Sequence, residues 1–429
     1  MSDQPGFTES WACRLCGKTP IVEVLSIPAT PLANDFVPAR DLIQRKFPLS
    51  LTSCKCGAFQ LRHAVDPVLL FKNYLYTTGS NPELVEHFTK TAKDHIDRFT
   101  LRPPSNQPEG PYPGDIVVSL GSNDGTDLLG FKDHGLEVLG VEPCERLALM
   151  AREKGVKTQV GFFSKGFPLD VPRPPKLIIC NNTFAHIADL GGVLDGVREQ
   201  IDPLKGIFVF EVAWAKSMLE MGAFDALLYH EHIFTHTVTA LRPFFEAHGL
   251  KLFDVEVIPT HGGSIRGYAR VGGSSFASVF TRMDEEKASG LFRMKTWEGF
   301  AKRITNTKID LHNRIQTVRW ARLNSGGTPV IAGYGAPAKL TPLCYALELG
   351  PAQIDYVVDD SPLKQGRYTP GLQIPVVPSE RFFTEPPDLI VLFAWNIGER
   401  MAAKVRAMFE EKGLKAPPMV TPFPEVSFL

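Results

Sequence analysis

DIVVSLGSNDGTDLLGFKDHGLEVLGVE, residues 115–142, decides the fold. The apolar run Ile116, Val117, Val118 and Leu120 meets Gly121 and Gly125, passes into a helix-like segment, and a second apolar run ends on the acidic Glu142. Strand, glycine turn, helix and strand in that order make one βαβ unit of a doubly wound sheet. Ligands of such sheets bind beyond the carboxyl ends of the strands. The first turn there needs glycine for close backbone approach, and a carboxylate closing the second strand can take both hydroxyls of a ribose.

The loop selects between cofactor classes. A dinucleotide site reads GxGxxG, with glycines opening a helix N-terminus to pyrophosphate. This loop reads Gly121-Ser122-Asn123-Asp124-Gly125 and places a carboxylate where a phosphate binder avoids negative charge. It suits an adenosine cofactor with an amino acid head, S-adenosylmethionine, held by these five residues and Glu142. A bland glycine turn in a nucleotide-free α/β domain is the rival reading, because many functions share this fold.

Outward from this unit, 429 residues allow two or three domains, and 44% hydrophobic with 22% charged residues is ordinary for a globular chain. A net charge of -1 without a dense Lys/Arg run argues against nucleic acid or an anionic membrane as partner. The polar start MSDQPGFTES lacks the regions of a signal peptide, and apolar runs such as 389–395 are too short to span a bilayer, so a cytoplasmic location is expected. No coiled-coil pattern or exposed apolar seam is legible, and a monomer is the default expectation.

Four of the seven cysteines gather before residue 72, as Cys13-Arg14-Leu15-Cys16-Gly17 and Cys54-Lys55-Cys56-Gly57. Two such knuckles make a closed tetrahedral zinc site that holds the fold and does no chemistry. The second pair has one intervening residue rather than two; reduced thiols in a small core are the alternative, with His63 a substitute ligand. Next, Tyr74 and Tyr76 share one face of an extended segment, a helix is expected from about 82 to 98, and the proline-rich stretch 103–113 reads as a loop.

Beyond Glu142, strands are expected at 176–182, 206–212, 250–259 and 264–271, giving a parallel sheet closed by a late hairpin. Asn181, Asn182 and His186 fall on its ligand side. FDALLYHEHIFTHT, residues 224–237, gathers Tyr229, His230, Glu231, His232 and His236: a base, an orienting acid and a donor for proton abstraction from carbon. A histidine metal site is a competing reading, though HExxH is absent; a solvated polar turn is another. A charged helical run over 284–323 leads to a second βα signature, TPVIAGYG at 328–335 followed by Ala336-Pro337-Ala338-Lys339. With 354–360 and 388–395 it makes a second doubly wound domain. Its turn lacks the third glycine of a dinucleotide fingerprint, so Lys339 is expected on anionic groups of a nucleotide-linked substrate, or else as a solvated helix residue.

The order CRLCG, PLAN (31–34), GSNDG, GVEP (140–143), GFF (161–163), NNTFAHI, FEV, YHEH, THGGSIR, GYGAPAK, KQGRYTPG (364–371) and WN (395–396) resembles the sugar C-methyltransferases that act on nucleotide-activated 4-keto deoxysugars, over almost the whole chain. The resemblance implies a zinc-binding domain (1–72), a central S-adenosylmethionine methyltransferase domain (73–283) and a C-terminal Rossmann-like domain that binds substrate (284–429). It implies His232 as the base that takes the C3 proton, with Tyr229 and Glu231 beside it, Glu231 setting the tautomer of His232. His186 and Tyr76 would surround the sugar; spacing alone leaves Tyr74 or Tyr76 for that place, and Tyr76 is chosen. Asn181 joins the cofactor set, and His261, Gly262, Gly263 and Tyr334 join Lys339 on the substrate. Ser119, where the family usually has an acidic residue, and Leu340-Thr341-Pro342 after GYGAPAK depart from the pattern. A methyltransferase acting on oxygen or nitrogen, and an assembly protein with a decayed cofactor site, are the alternatives.

Overall fold

The computed structural model of the protein describes residues 6–71, 74, 76–107 and 110–429. Helix α1 (Pro82–Phe99) starts with Pro82 at its first position and the Asn81 side chain accepting from the Glu83 N–H, as helix starts favour. It lies against α2 (Thr126–Asp133), where Gly130 leaves room for Ala92.

Residues 115–142 fold as expected, and their first strand lies third in a seven-stranded sheet, beside its central strand. β1 (Ile116–Leu120), β2 (Glu137–Glu142), β3 (Thr158–Val160), β4 (Leu177–Asn181) and β5 (Ile207–Ala213) run parallel. The hairpin β6 (Leu250–Ile258) and β7 (Ser264–Val271) closes the sheet antiparallel through β7, in the order β3-β2-β1-β4-β5-β7-β6. Every residue of β1 and β4 is buried, because helices cover both faces. The chain leaves β1 toward one edge and returns to the other side at β4. That reversal opens a crevice above the two strand ends, where the glycine loop sits.

A second sheet follows, formed by β8 (Ile331–Tyr334), β9 (Tyr356–Val358), β10 (Val376–Val377), β11 (Leu389–Leu392), β12 (Met419–Thr421) and β13 (Ser427–Phe428) in the order β10-β9-β8-β11-β12-β13. Only the last pairing is antiparallel. It has its own reversal, between β8 and β11, capped by residues 335–339.

Three details depart from the sequence reading. The proline-rich stretch 103–113 carries a short antiparallel pair, Ser105–Gln107 with Gly110–Tyr112. The charged run 284–323 divides into Ala277–Ala288 and Met294–Asn324. The cysteine-bearing segment is not closed on itself: its sheet of Val22–Thr30, Phe47–Ser53 and Phe59–Leu61 takes its outer strand from Phe234–Thr235, far along the chain. Leu25, Leu51 and Phe59 share one apolar core with Phe224, Trp297, Leu343 and Val357, so burial binds the first and last parts of the chain together.

Candidate active site

A cavity of about 1130 Å³ lies above the ends of β1, β2 and β4 and is walled on its far side by residues 335–339 and 359–364. Single-ligand pockets span ~300–1,000 Å³. There is room for a cofactor and a second substrate.

At the sheet end, Gly121 (φ +73°) stands so close to Thr183 that a Cβ would meet that side chain at 2.4 Å, so only glycine fits. Ser122, Asn123, Glu142 and Asn181 line the same end. Burial raises the pKa of Glu142. Its Oε2 accepts from the Asn123 N–H and its Oε1 from the Cys144 N–H, both at 2.9 Å, which fixes the carboxylate and leaves lone pairs for ligand hydroxyls. The Ser122 Oγ, Asn181 Oδ1 and Asp127 Oδ1 are buried without a partner among the described residues. Orphaned acceptors in a glycine-lined crevice fit an amino-acid head on an adenosine cofactor.

Asp124 and Gly125 are not on the cavity wall. The Asp124 carboxylate accepts from the Gly79 N–H (3.0 Å), Thr126 Oγ1 (2.7 Å) and Lys154 Nζ (2.8 Å). Burial opposes its ionisation, and these partners outweigh that and hold its pKa below the ordinary value. The expected cofactor ligand is thus a clamp that ties residues 78–80 to the loop. Gly125 caps α2 and packs on Ala151.

The Tyr229–His236 segment supplies the opposite wall. His232 Nδ1 and the Ala226 carbonyl are 3.0 Å apart; a carbonyl only accepts, so this hydrogen bond takes a proton on Nδ1, and in the neutral ring Nε2 is then the basic nitrogen. This corrects the expectation that Glu231 sets the tautomer. Glu231 instead accepts from Asn34 Nδ2 (2.7 Å) and the Tyr74 hydroxyl (3.0 Å), and burial pushes its carboxyl up to about 7. The Tyr229 ring lies 4.3 Å from that of His232, and burial raises its phenol well above the ordinary range. His186, on the turn after β4, meets His232 edge-on at 5.0 Å and Phe71 at 5.7 Å. Tyr74, not Tyr76, joins the Glu231 cluster; Tyr76 is 39% exposed and lies on the cofactor side, beside Asn81 and Asp124. Sequence spacing could not separate the two tyrosines, because both line the cavity. Asn34 lay within a quoted motif but carried no local sign of reaching a residue 197 positions away. His230 and His236 are buried and held below the ordinary histidine pKa by desolvation, and they face Phe47 and Phe184 rather than each other. They make no metal site with His232.

On the C-terminal wall, Lys339 lines the cavity and its charge bears on the buried Asp225 carboxyl. Tyr334 does not line it: the ring packs on Phe382 and the hydroxyl lies 3.4 Å from Asp360. Gly262 and Gly263 abut Met221 and Ser217 behind the cavity rather than on its wall, and the side chain of His261 is outside the described residues. Asp359 and Lys364, unassigned from the sequence, brace the 335–339 turn through the Ala336 N–H (2.6 Å) and carbonyl (2.8 Å).

Cys13, Cys16, Cys54 and Cys56 converge, with all four Sγ atoms within 4.8 Å of one another and the Cys13–Cys56 and Cys16–Cys54 pairs at 3.7 Å. A tetrahedron with zinc–sulfur bonds of ~2.3 Å has edges of ~3.8 Å, so the set fits zinc despite the shortened second knuckle. His63 is turned to Glu9 instead.

Three family models match the chain in succession: "Putative zinc binding domain" over residues 13–71, "Methyltransferase domain" over 85–255 and "C-methyltransferase C-terminal domain" over 259–424. C-methyltransferase NovU of Streptomyces niveus is 31% identical over 426 residues, covering 96% of this chain and 95% of its own. Among solved structures, an S-adenosylmethionine-dependent methyltransferase of Clostridium acetobutylicum aligns at 13% identity with a TM-score of 0.35, covering 44% of this chain and 92% of its own. The CcbJ methyltransferase of Streptomyces caelestis aligns at 15% identity with a TM-score of 0.35, covering 47% and 95% respectively.

Proposed function

The chain belongs to the C-methyltransferase family, and from that premise we propose that it methylates C3 of a nucleotide-linked 4-keto-6-deoxysugar in deoxysugar biosynthesis. The methyl donor is S-adenosylmethionine, which supplies an already activated methyl group on its sulfonium, so the protein's part is to make, align and shield a carbanion.

The observation that carries the reading is the contact of His232 Nδ1 with the Ala226 carbonyl. With its proton held on Nδ1 by the Ala226 carbonyl, the ring offers a basic Nε2 on the wall of a cavity large enough for two ligands. A ketone at C4 acidifies the adjacent C3–H. His232 takes that proton, and the electron pair left on C3 is delocalised onto the C4 oxygen. Tyr229 and His186, in ring contact with His232, are the groups that would donate to that oxygen. Donors of this kind commonly lower a barrier by ~2.7–4 kcal/mol each. Glu231 supports Tyr74 and Asn34 on the same wall.

Glu142 holds the ribose of the cofactor beneath Gly121, and Lys339 meets anionic groups of the nucleotide from the C-terminal wall. In this reading the chain works as a cytoplasmic monomer divided at about residues 72 and 283, with nucleotide sugar as its partner. Incubation with S-adenosylmethionine and a series of nucleotide-linked 4-keto-6-deoxysugars, with mass and NMR analysis of the product, tests it. A new C–CH3 at C3 is expected; an O- or N-methyl product overturns the acceptor assignment.

A further inference from the structure

Asp127 lies in the first turn of α2, 7% exposed, on the wall of the cavity below Gly121. Two neighbours fix one carboxylate oxygen. The Ser119 hydroxyl on β1 donates to Oδ2 at 2.7 Å, and the Asn181 amide on β4 approaches the same atom at 3.4 Å. Oδ1 is buried with no hydrogen-bond partner among the described residues, and Asn181 Oδ1 and Ser122 Oγ share that condition on the same wall. A buried polar atom left without a partner is costly, and two pure acceptors beside a hydroxyl on one wall of a cavity mark a place where a donor-rich group belongs.

The surroundings narrow its chemistry. Lys154, which reaches the loop, is engaged by Asp124. Glu142 serves the neighbouring strand end, and the Asp124 carboxylate adds to the effect of burial in raising the proton affinity of Asp127. Acceptors outnumber donors, and among the described residues no ion pair neutralises Asp127. A group with several N–H donors and a positive charge completes the set, and a primary ammonium has both.

We infer that Asp127 receives the α-ammonium group of the cofactor's amino-acid end, and so turns the donor's sulfur toward the acceptor; this rests on the cofactor reading given above. Desolvation lifts its carboxyl to about 7, against the pull of Ser119 and Asn181, as expected for a group whose counter-charge arrives with the ligand.

Calorimetric titration of the full-length protein with S-adenosylhomocysteine and with its analogue lacking the α-amino group tests the inference. Wild type should prefer the amino form by at least tenfold, as for a charge-assisted hydrogen bond. Asp127→Asn should erase most of that preference while binding the deaminated analogue as wild type does. Equal affinity of wild type for the two ligands overturns the inference even if Asp127→Asn fails to fold. An Asp127→Asn protein that keeps the full preference also overturns it. Failure of wild type to bind either ligand overturns the cofactor reading with it.

Discussion

At the residue scale, His232 and Glu231 are neighbours in sequence with separate attachments. The His232 ring is set by a backbone carbonyl, which no side-chain substitution nearby removes. His232→Ala should leave cofactor affinity near wild type and lower turnover by ~10²–10⁴, the usual contribution of a general base; calorimetry and steady-state rates check the two halves. Glu231 gives a signature in stability. Burial raises its pKa from 4.5 to about 7, so the folded state binds the proton more tightly than the unfolded chain. Its contribution to stability is therefore full below pH ~4.5, is lost as pH rises toward ~7, and is flat above. Glu231→Gln, which keeps the neutral shape, should match wild type in melting near pH 4.5 and exceed it at pH 8, by up to a few kcal/mol; an equal difference at both pH values contradicts the assignment. These residues and Glu142 were legible because chemistry concentrates His, Glu and Tyr in short runs beyond strand ends. The places of Tyr74 and Asn34 were not, because each is set by Glu231, a partner distant in sequence.

At the element scale, the strand Phe234–Thr235 connects two functions. It follows the Tyr229–His232 segment directly and pairs with Phe59–Leu61, which follows the second cysteine knuckle; the Leu61 N–H also donates to the Ile233 carbonyl at 2.8 Å. Loss of zinc therefore frees a strand that holds His232. Removing metal with a strong chelator, or Cys16→Ser, should lower Tm by on the order of 10 °C, since structural zinc contributes several kcal/mol or more, and should reduce turnover as well. Metal content, melting and rate measured together check this; full activity in metal-free protein contradicts the coupling. Glu286 performs a related task behind the sheet. Its buried carboxylate accepts from the Val238 and Thr239 N–H groups, the Thr239 hydroxyl and the Trp214 indole. Glu286→Ala should cost ~2–4 kcal/mol in chemical denaturation by stranding those donors. The zinc knuckles could be read from their spacing, but their pairing with residues 234–235 could not, because a two-residue strand carries no periodicity.

At the scale of the whole molecule, the cavity is made where the two sheets face each other, each presenting the crevice at its own strand reversal. The two βα signatures in the sequence located both crevices. Their opposition depends on contacts that local patterns do not encode: the Trp395 indole donating to Asp225 at 2.9 Å, Thr341 reaching the Ala33 carbonyl, and Val37 paired with Tyr368. Asp225 lies in the short helix Phe224–Leu227 whose Ala226 carbonyl sets His232, so the segment after the C-terminal sheet's fourth strand is tied to His232 through that helix, by one hydrogen bond at each end. Trp395→Phe should cost ~1–3 kcal/mol in denaturation, by leaving Asp225 short of its donor. In the proposed reaction all of this geometry serves one act, removal of a proton from carbon by His232. The direct measurement is deuterium wash-in at C3 of a nucleotide-linked 4-keto-6-deoxysugar, in deuterium oxide with S-adenosylhomocysteine bound, by wild type and His232→Ala. Wash-in by wild type and none by the variant is predicted; methyl transfer by wild type with the C3 hydrogen retained contradicts the account.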